Sequence, residues 1–137
     1  MLKYQLTHPT ILEAVAGAGH GSKILIADGH YPFSTGKNPL APVVYLNLSP
    51  GMVRADEVLN VLLSAIHVES ATLMTPGNQA RIEAHEEYRL SLGAEVPIDL
   101  LDRFSFYSAA RTQDVALVIA TGDTRHYANI LLTIGVR

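Results

Sequence analysis

Read for the spacing of its apolar positions, the chain alternates between compact β-branched runs and stretches of helical period. Thr7, His8 and Pro9 predict a helix start, because the missing N–H of proline costs nothing in a first turn. Ile11, Leu12, Val15 and Ala18 follow at helical spacing, and Gly19 supplies a stop. KILIADG (Lys23–Gly29) is a short run of the kind that fills a parallel sheet, and HYPFSTGKNPLAP after it reads as a loop. VVYLNLSPG (Val43–Gly51) predicts a second strand that ends in a Pro-Gly turn.

The segment from Arg54 to Ile66 places acids in its first turn and Val58, Leu59, Leu62 and Ile66 on one face, the pattern of a helix. HVESATLM predicts a strand, QARIEAHEEYRLSLG a helix with a polar outer face closed by Gly93, and IDLLDRFSFYSAART a further helix. DVALVIATG (Asp114–Gly122) is the clearest buried strand, and ANILLTIGV predicts another. Strands alternating with helices imply a single domain over residues 1–137, a three-layer α/β/α fold with a mostly parallel sheet. Ligands of such sheets sit at the carboxyl ends of the strands. Asp28 and His30 follow one strand there, and Thr121, Gly122 and Asp123 follow another.

Composition narrows the class. Hydrophobic residues make up 48% and charged ones 17%, so the chain reads as a globule whose low charge suggests further burial between subunits. A net charge of −3 without a Lys/Arg cluster argues against nucleic acid or an anionic membrane as partner. Without cysteine there is no disulfide, thiolate metal site or cysteine nucleophile. No stretch approaches the ~20 apolar residues of a membrane span, and the expectation is a soluble cytoplasmic protein.

Several chemistries compete for the polar residues. GAGHGS follows a helix and precedes a strand, the reverse of a dinucleotide-binding turn, and no G-x-S-x-G elbow occurs. His20, Asp28 and His30 could be read as ligands of a metal-dependent hydrolase. His85, within AHEEY, reads as a solvated surface residue, and His67 as a dipole partner at a helix end. His8 and His126 invite equally plain readings. His20 stands between glycines that allow close approach of a ligand, and imidazole titrates where general acid–base chemistry needs it. Asp28 is either a turn cap or an acceptor for hydroxyl groups.

GHG (Gly19–Gly21), the strand and D-x-H-x-P of ILIADGHYP, RFSFY (Arg103–Tyr107) and the closing VIATGDTRHYANILLTIGV together resemble the ribose pyranase and fucose mutarotase family over nearly the whole chain. The resemblance implies catalysis without a cofactor or metal on a monosaccharide. It also implies a ring-shaped homo-oligomer, a pentamer or decamer, with active sites at subunit contacts. His20 matches the family's proton donor and Asp28 its sugar-binding carboxylate. Arg103 matches the arginine of the fucose-type members, and Tyr127, Ala128 and Asn129 match the Tyr-small-Asn segment that contacts sugar. His30 is expected to orient Asp28 or line the pocket. RFSFY and DGHYP look like the fucose branch, whereas VVYLNLSPGMVRADEVL looks like the ribose branch, so both sugar types stay open.

The chemistry suits these residues. Exchanging anomers takes a base for the anomeric hydroxyl proton and an acid for the ring oxygen, then the reverse steps after the carbonyl has turned. A non-catalytic sugar-binding or transport-accessory protein would need only the hydroxyl-binding groups.

Overall fold

A computed structural model describes residues 1–137. In chain order it contains α1 (Pro9–Gly17), β1 (Lys23–Ala27), β2 (Val43–Tyr45), α2 (Ala55–Leu63), β3 (Val68–Thr75), α3 (Glu83–Leu92), β4 (Ile98–Asp102), α4 (Arg103–Ala110), β5 (Val115–Ala120) and β6 (Ile130–Ile134). The strands form one mixed sheet in the order β2-β5-β1-β6-β3-β4.

Alternation along each strand divides the core in two. Ile24 and Ile26 of β1, Leu117 and Ile119 of β5, and Ile130, Leu132 and Ile134 of β6 face α1, α2 and α3. Leu25, Ala27, Val118 and Leu131 face the other way, onto Phe106 and Ala110 of α4 and onto Tyr31 and Ala41 of the following loop. Helices therefore cover both faces, and strands buried on both sides explain the unbroken apolar runs.

Four sequence expectations are corrected. The second strand stops at Tyr45 rather than running to Gly51, because residues 46–53 turn to bond the end of β5: Gly51 N–H donates to the Gly122 carbonyl and Gly122 N–H to that of Val53. IDLLD is not helical. It pairs in parallel with β3 as an edge strand, and Asp102 both ends it and caps α4 by accepting from the amides of Phe104 and Ser105. The helix expected from Gln79 begins at Glu83. Finally, β6 runs antiparallel to both its neighbours, β1 and β3. The other five strands point the same way, so the sheet is mostly parallel around one reversed central strand.

That reversal positions the site. Ile26 pairs with Ile130, so the amino end of β6 lies beside the carboxyl end of β1. Residues 127–129 thereby arrive next to Asp28; a parallel β6 would have carried them to the opposite edge of the sheet.

Candidate functional site

Each strand end contributes to one cleft of about 200 Å³, lined by Asp28, His30, Tyr31, Met74, Arg103, Tyr107, His126, Tyr127 and Asn129. Asp28 and His30 follow β1, Met74 lies near the end of β3, and Arg103 opens α4 directly after β4. Tyr107 stands one helical turn beyond Arg103, on the same face of α4.

Asp28 organises the floor. Its side chain is buried, with the residue only 2% exposed. One carboxylate oxygen accepts from the His30 amide at 3.0 Å, the other from the Ala128 amide at 3.1 Å and the Asn129 side-chain amide at 2.9 Å. Asn129 returns the contact by accepting from the Asp28 amide at 2.8 Å. Burial raises the Asp28 pKa above the ordinary carboxylate value, against the lowering effect of the two backbone donors. Asn129 turns its amide N–H to Asp28 and its carbonyl to the Asp28 amide, so its orientation is fixed from within.

The rim is wetter. His30 Nε2 lies 3.2 Å from the Thr124 carbonyl and therefore donates to it, and its ring stacks on that of His126 at 4.6 Å. Arg103 is exposed, its guanidinium 4.7 Å above the Phe104 ring. Tyr31 meets Tyr107 edge to face at 5.3 Å and donates its hydroxyl hydrogen to the Gly36 carbonyl. Hydroxyl-binding groups and aromatic faces thus share one concave surface, as recognition of a small polyol requires.

The segment carrying Tyr127 is tied down from behind. Arg125 bonds the carboxylates of Asp123, Asp56 and Glu87, and Arg54 bonds Asp56 and Glu87 as well. Asp123 also accepts from the Ala55 amide at the start of α2. Burial alone would raise the Asp123 pKa; the bonds from Arg125 and Ala55 outweigh it and hold the group below its ordinary value.

Of the residues singled out in sequence, Asp28, His30, Arg103, Tyr127 and Asn129 line one pocket, and Ala128 joins them through its amide. His20 does not. It lies in the turn before β1, at the other edge of the sheet and ~16 Å away along the strand. Gly21 N–H donates to the Ile134 carbonyl, so the turn continues the sheet edge instead of folding back. His20 Nε2 donates to Glu69 at 2.8 Å, and its side chain is 59% exposed. His20, Asp28 and His30 therefore form no ligand set within one chain, and no group of three or more His, Asp or Glu is placed to hold a metal ion.

His85 corrects the surface reading. It is 5% exposed, on the inner face of α3, with Nε2 3.0 Å from the Tyr127 carbonyl. Tyr31, Met74, Tyr107 and His126 were not singled out as pocket residues. The four-residue step from Arg103 to Tyr107 was a readable signal; the contribution of Met74 depends on strand pairing.

The RbsD / FucU transport protein family model matches residues 1–137. Among solved structures, RbsD of Bacillus subtilis complexed with D-ribose is 26% identical with a TM-score of 0.86, the match covering 100% of this chain and 99% of that one. FucU from Bifidobacterium longum is 30% identical with a TM-score of 0.80, over 95% and 94%. The fucose mutarotase of Streptococcus pneumoniae, in complex with L-fucose, is 25% identical with a TM-score of 0.77, also over 95% and 94%.

Proposed function

The chain belongs to the RbsD / FucU transport protein family, and on that premise we propose that it interconverts the anomers or ring forms of a fucose-like or ribose-like monosaccharide without a cofactor. The observation that carries this reading is the convergence of Asp28, His30, Arg103, Tyr127 and Asn129 on one small polar cleft with aromatic walls. The D-ribose and L-fucose bound by two of the similar structures agree with a cleft of that size and polarity.

In the proposed reaction a base removes the proton from the anomeric hydroxyl. The bond from C1 to the ring oxygen breaks, and an acid protonates that oxygen to leave an open-chain aldehyde. The carbonyl turns, the hydroxyl adds to its other face, and both protons return. His20 supplies proton transfer, worth ~10²–10⁴-fold for a well-placed group. Asp28, Arg103, Tyr127 and Asn129 hold the hydroxyls, and the hydrogen-bonded floor keeps them aligned. Because His20 stands at the far edge of its own sheet, it serves the pocket of a neighbouring subunit. The protein is accordingly a homo-oligomer, a ring of the pentamer or decamer kind, acting on sugar in the cytoplasm. Exposed Tyr45, Leu48, Met52, Leu90 and Phe104 supply apolar surface for such contacts.

Saturation-transfer NMR on ribose, fucose and related sugars tests the activity, with exchange between anomer signals accelerated by catalytic amounts of protein. Binding without exchange would leave a sugar-binding accessory role instead. Mixing and reassembling inactive His20→Gln and Asp28→Asn chains should restore part of the exchange, since some sites then combine an intact pocket with an intact histidine.

A further inference from the structure

We propose that His85 is a positioning residue of the pocket: its imidazole fixes the Tyr127–Ala128 peptide group from which the pocket-lining side chains of Tyr127 and Asn129 are presented. The inference rests on the reading of this cleft as a sugar site.

One peptide group is held at both of its polar edges. Its carbonyl, that of Tyr127, accepts from His85 Nε2 at 3.0 Å, and its N–H, that of Ala128, donates to Asp28 at 3.1 Å. The next carbonyl, that of Ala128, accepts from the Tyr88 hydroxyl at 2.6 Å. His85 and Tyr88 are three residues apart on α3, so one face of the helix delivers two side-chain donors to two consecutive carbonyls. No strand ladder reaches these groups, because β6 begins only at Ile130.

Tyr127 needs such a hold. Its φ of 59° lies in the left-handed region, which a residue with a bulky side chain adopts only where its surroundings impose it. That twist aims the Tyr127 ring into the cleft and sets the path to Asn129. His85 is suited to the task because burial keeps its pKa below the ordinary value, so the neutral ring donates one hydrogen bond without placing a charge behind the pocket. A donor on the carbonyl also polarises the same amide, strengthening the N–H bond to Asp28. The grip on Asp28 thus runs through the peptide to α3.

Two variants of the full-length assembled protein separate positioning from space filling. His85→Leu keeps an apolar volume but has no donor; His85→Gln keeps a donor at similar reach. The Leu variant should lower kcat for anomer exchange about tenfold with a smaller change in KM, as expected for reacting groups displaced rather than removed. The Gln variant should stay within about threefold of wild type. Hydrogen exchange at the Ala128 amide should follow the same order, fast in Leu and protected in Gln. Should the Leu variant fail to fold, Gln alone decides: protection and activity near wild type support positioning, and loss of either overturns it. A Leu variant with wild-type kcat and wild-type protection also overturns it. If the wild-type protein exchanges no sugar at all, the functional reading fails, while Ala128 protection still decides the role of His85.

Discussion

At the carboxyl end of β1, Asp28 is almost wholly buried and spends both carboxylate oxygens on donors of its own chain. At the amino end, His20 stands more than half exposed, and its partner Glu69 has a side chain 42% exposed. Five residues of strand separate these two ends. One end is finished within the subunit; the other offers a titratable group to whatever approaches it. A buried carboxylate must be satisfied by fixed neighbours. A proton-transfer group, in contrast, can wait in solvent until a second surface encloses it. The contrast implies that pocket shape is a property of one chain and turnover a property of two.

The sharpest way to break this comparison is His20→Gln. Loss of about 10²-fold or more in anomer exchange is expected, with sugar affinity and thermal stability close to wild type. Rates within a factor of two of wild type would remove His20 from the chemistry. Next in size is Arg125→Leu, which strands the buried Asp123 carboxylate and should cost about 3 kcal/mol of stability. Differential scanning calorimetry would then show a Tm lower by roughly 10 °C. An unchanged Tm would mean that the ion-pair network behind residues 123–129 is incidental.

Asp28→Asn should weaken sugar binding by about 1–3 kcal/mol, since one oxygen that accepts from Ala128 and Asn129 becomes an amide donor or leaves them to a single acceptor. Titration calorimetry measures this directly. The acid limb of stability gives a smaller effect with a defined sign. The folded pKa of Asp123 is depressed, so its contribution is present above the unfolded value of about 3.9 and is lost as the pH falls through the lower folded value. Asp28, with its pKa raised, works oppositely: its contribution is full below that unfolded value and is lost as the pH rises through the folded one. Acid unfolding below pH about 4 should therefore be less steep in Arg125→Leu, where Asp123 has lost its cation. Smallest of all, Glu69→Gln should change stability by less than ~0.5 kcal/mol, because both partners of the His20 pair are largely solvated.

Apolar spacing made β1, β5 and α2 legible, since each buries a face or a whole run against neighbours. It failed at IDLLD because a half-exposed edge strand passes straight into a helix, with Asp102 serving both and no Gly or Pro between them. The direction of β6 carries no periodic signature. Its connection did: nine residues from Thr121 to Asn129 are too few for the helical crossover that a parallel neighbour requires. His85 was misread because its neighbours in AHEEY are charged, while the partner that buries it lies more than forty residues away. Resemblance to a family supplied Arg103 and Tyr127; the pocket around them depends on the strand order.

The reversed strand has a consequence for how the protein is made. β1 and β3 share no pairing, and the two halves of the sheet, β2-β5-β1 and β3-β4, join only through β6. During synthesis from the amino terminus, the helices and five strands emerge without the element that closes the sheet between them. Until residues 130–134 arrive, the facing edges of β1 and β3 remain open, and Asp28 lacks both Ala128 and Asn129. Sheet closure and pocket formation then become the same late event, governed by contacts of long sequence separation and correspondingly slow. A nascent or truncated chain ending before β6 would expose two unpaired strand edges, the usual template for aggregation.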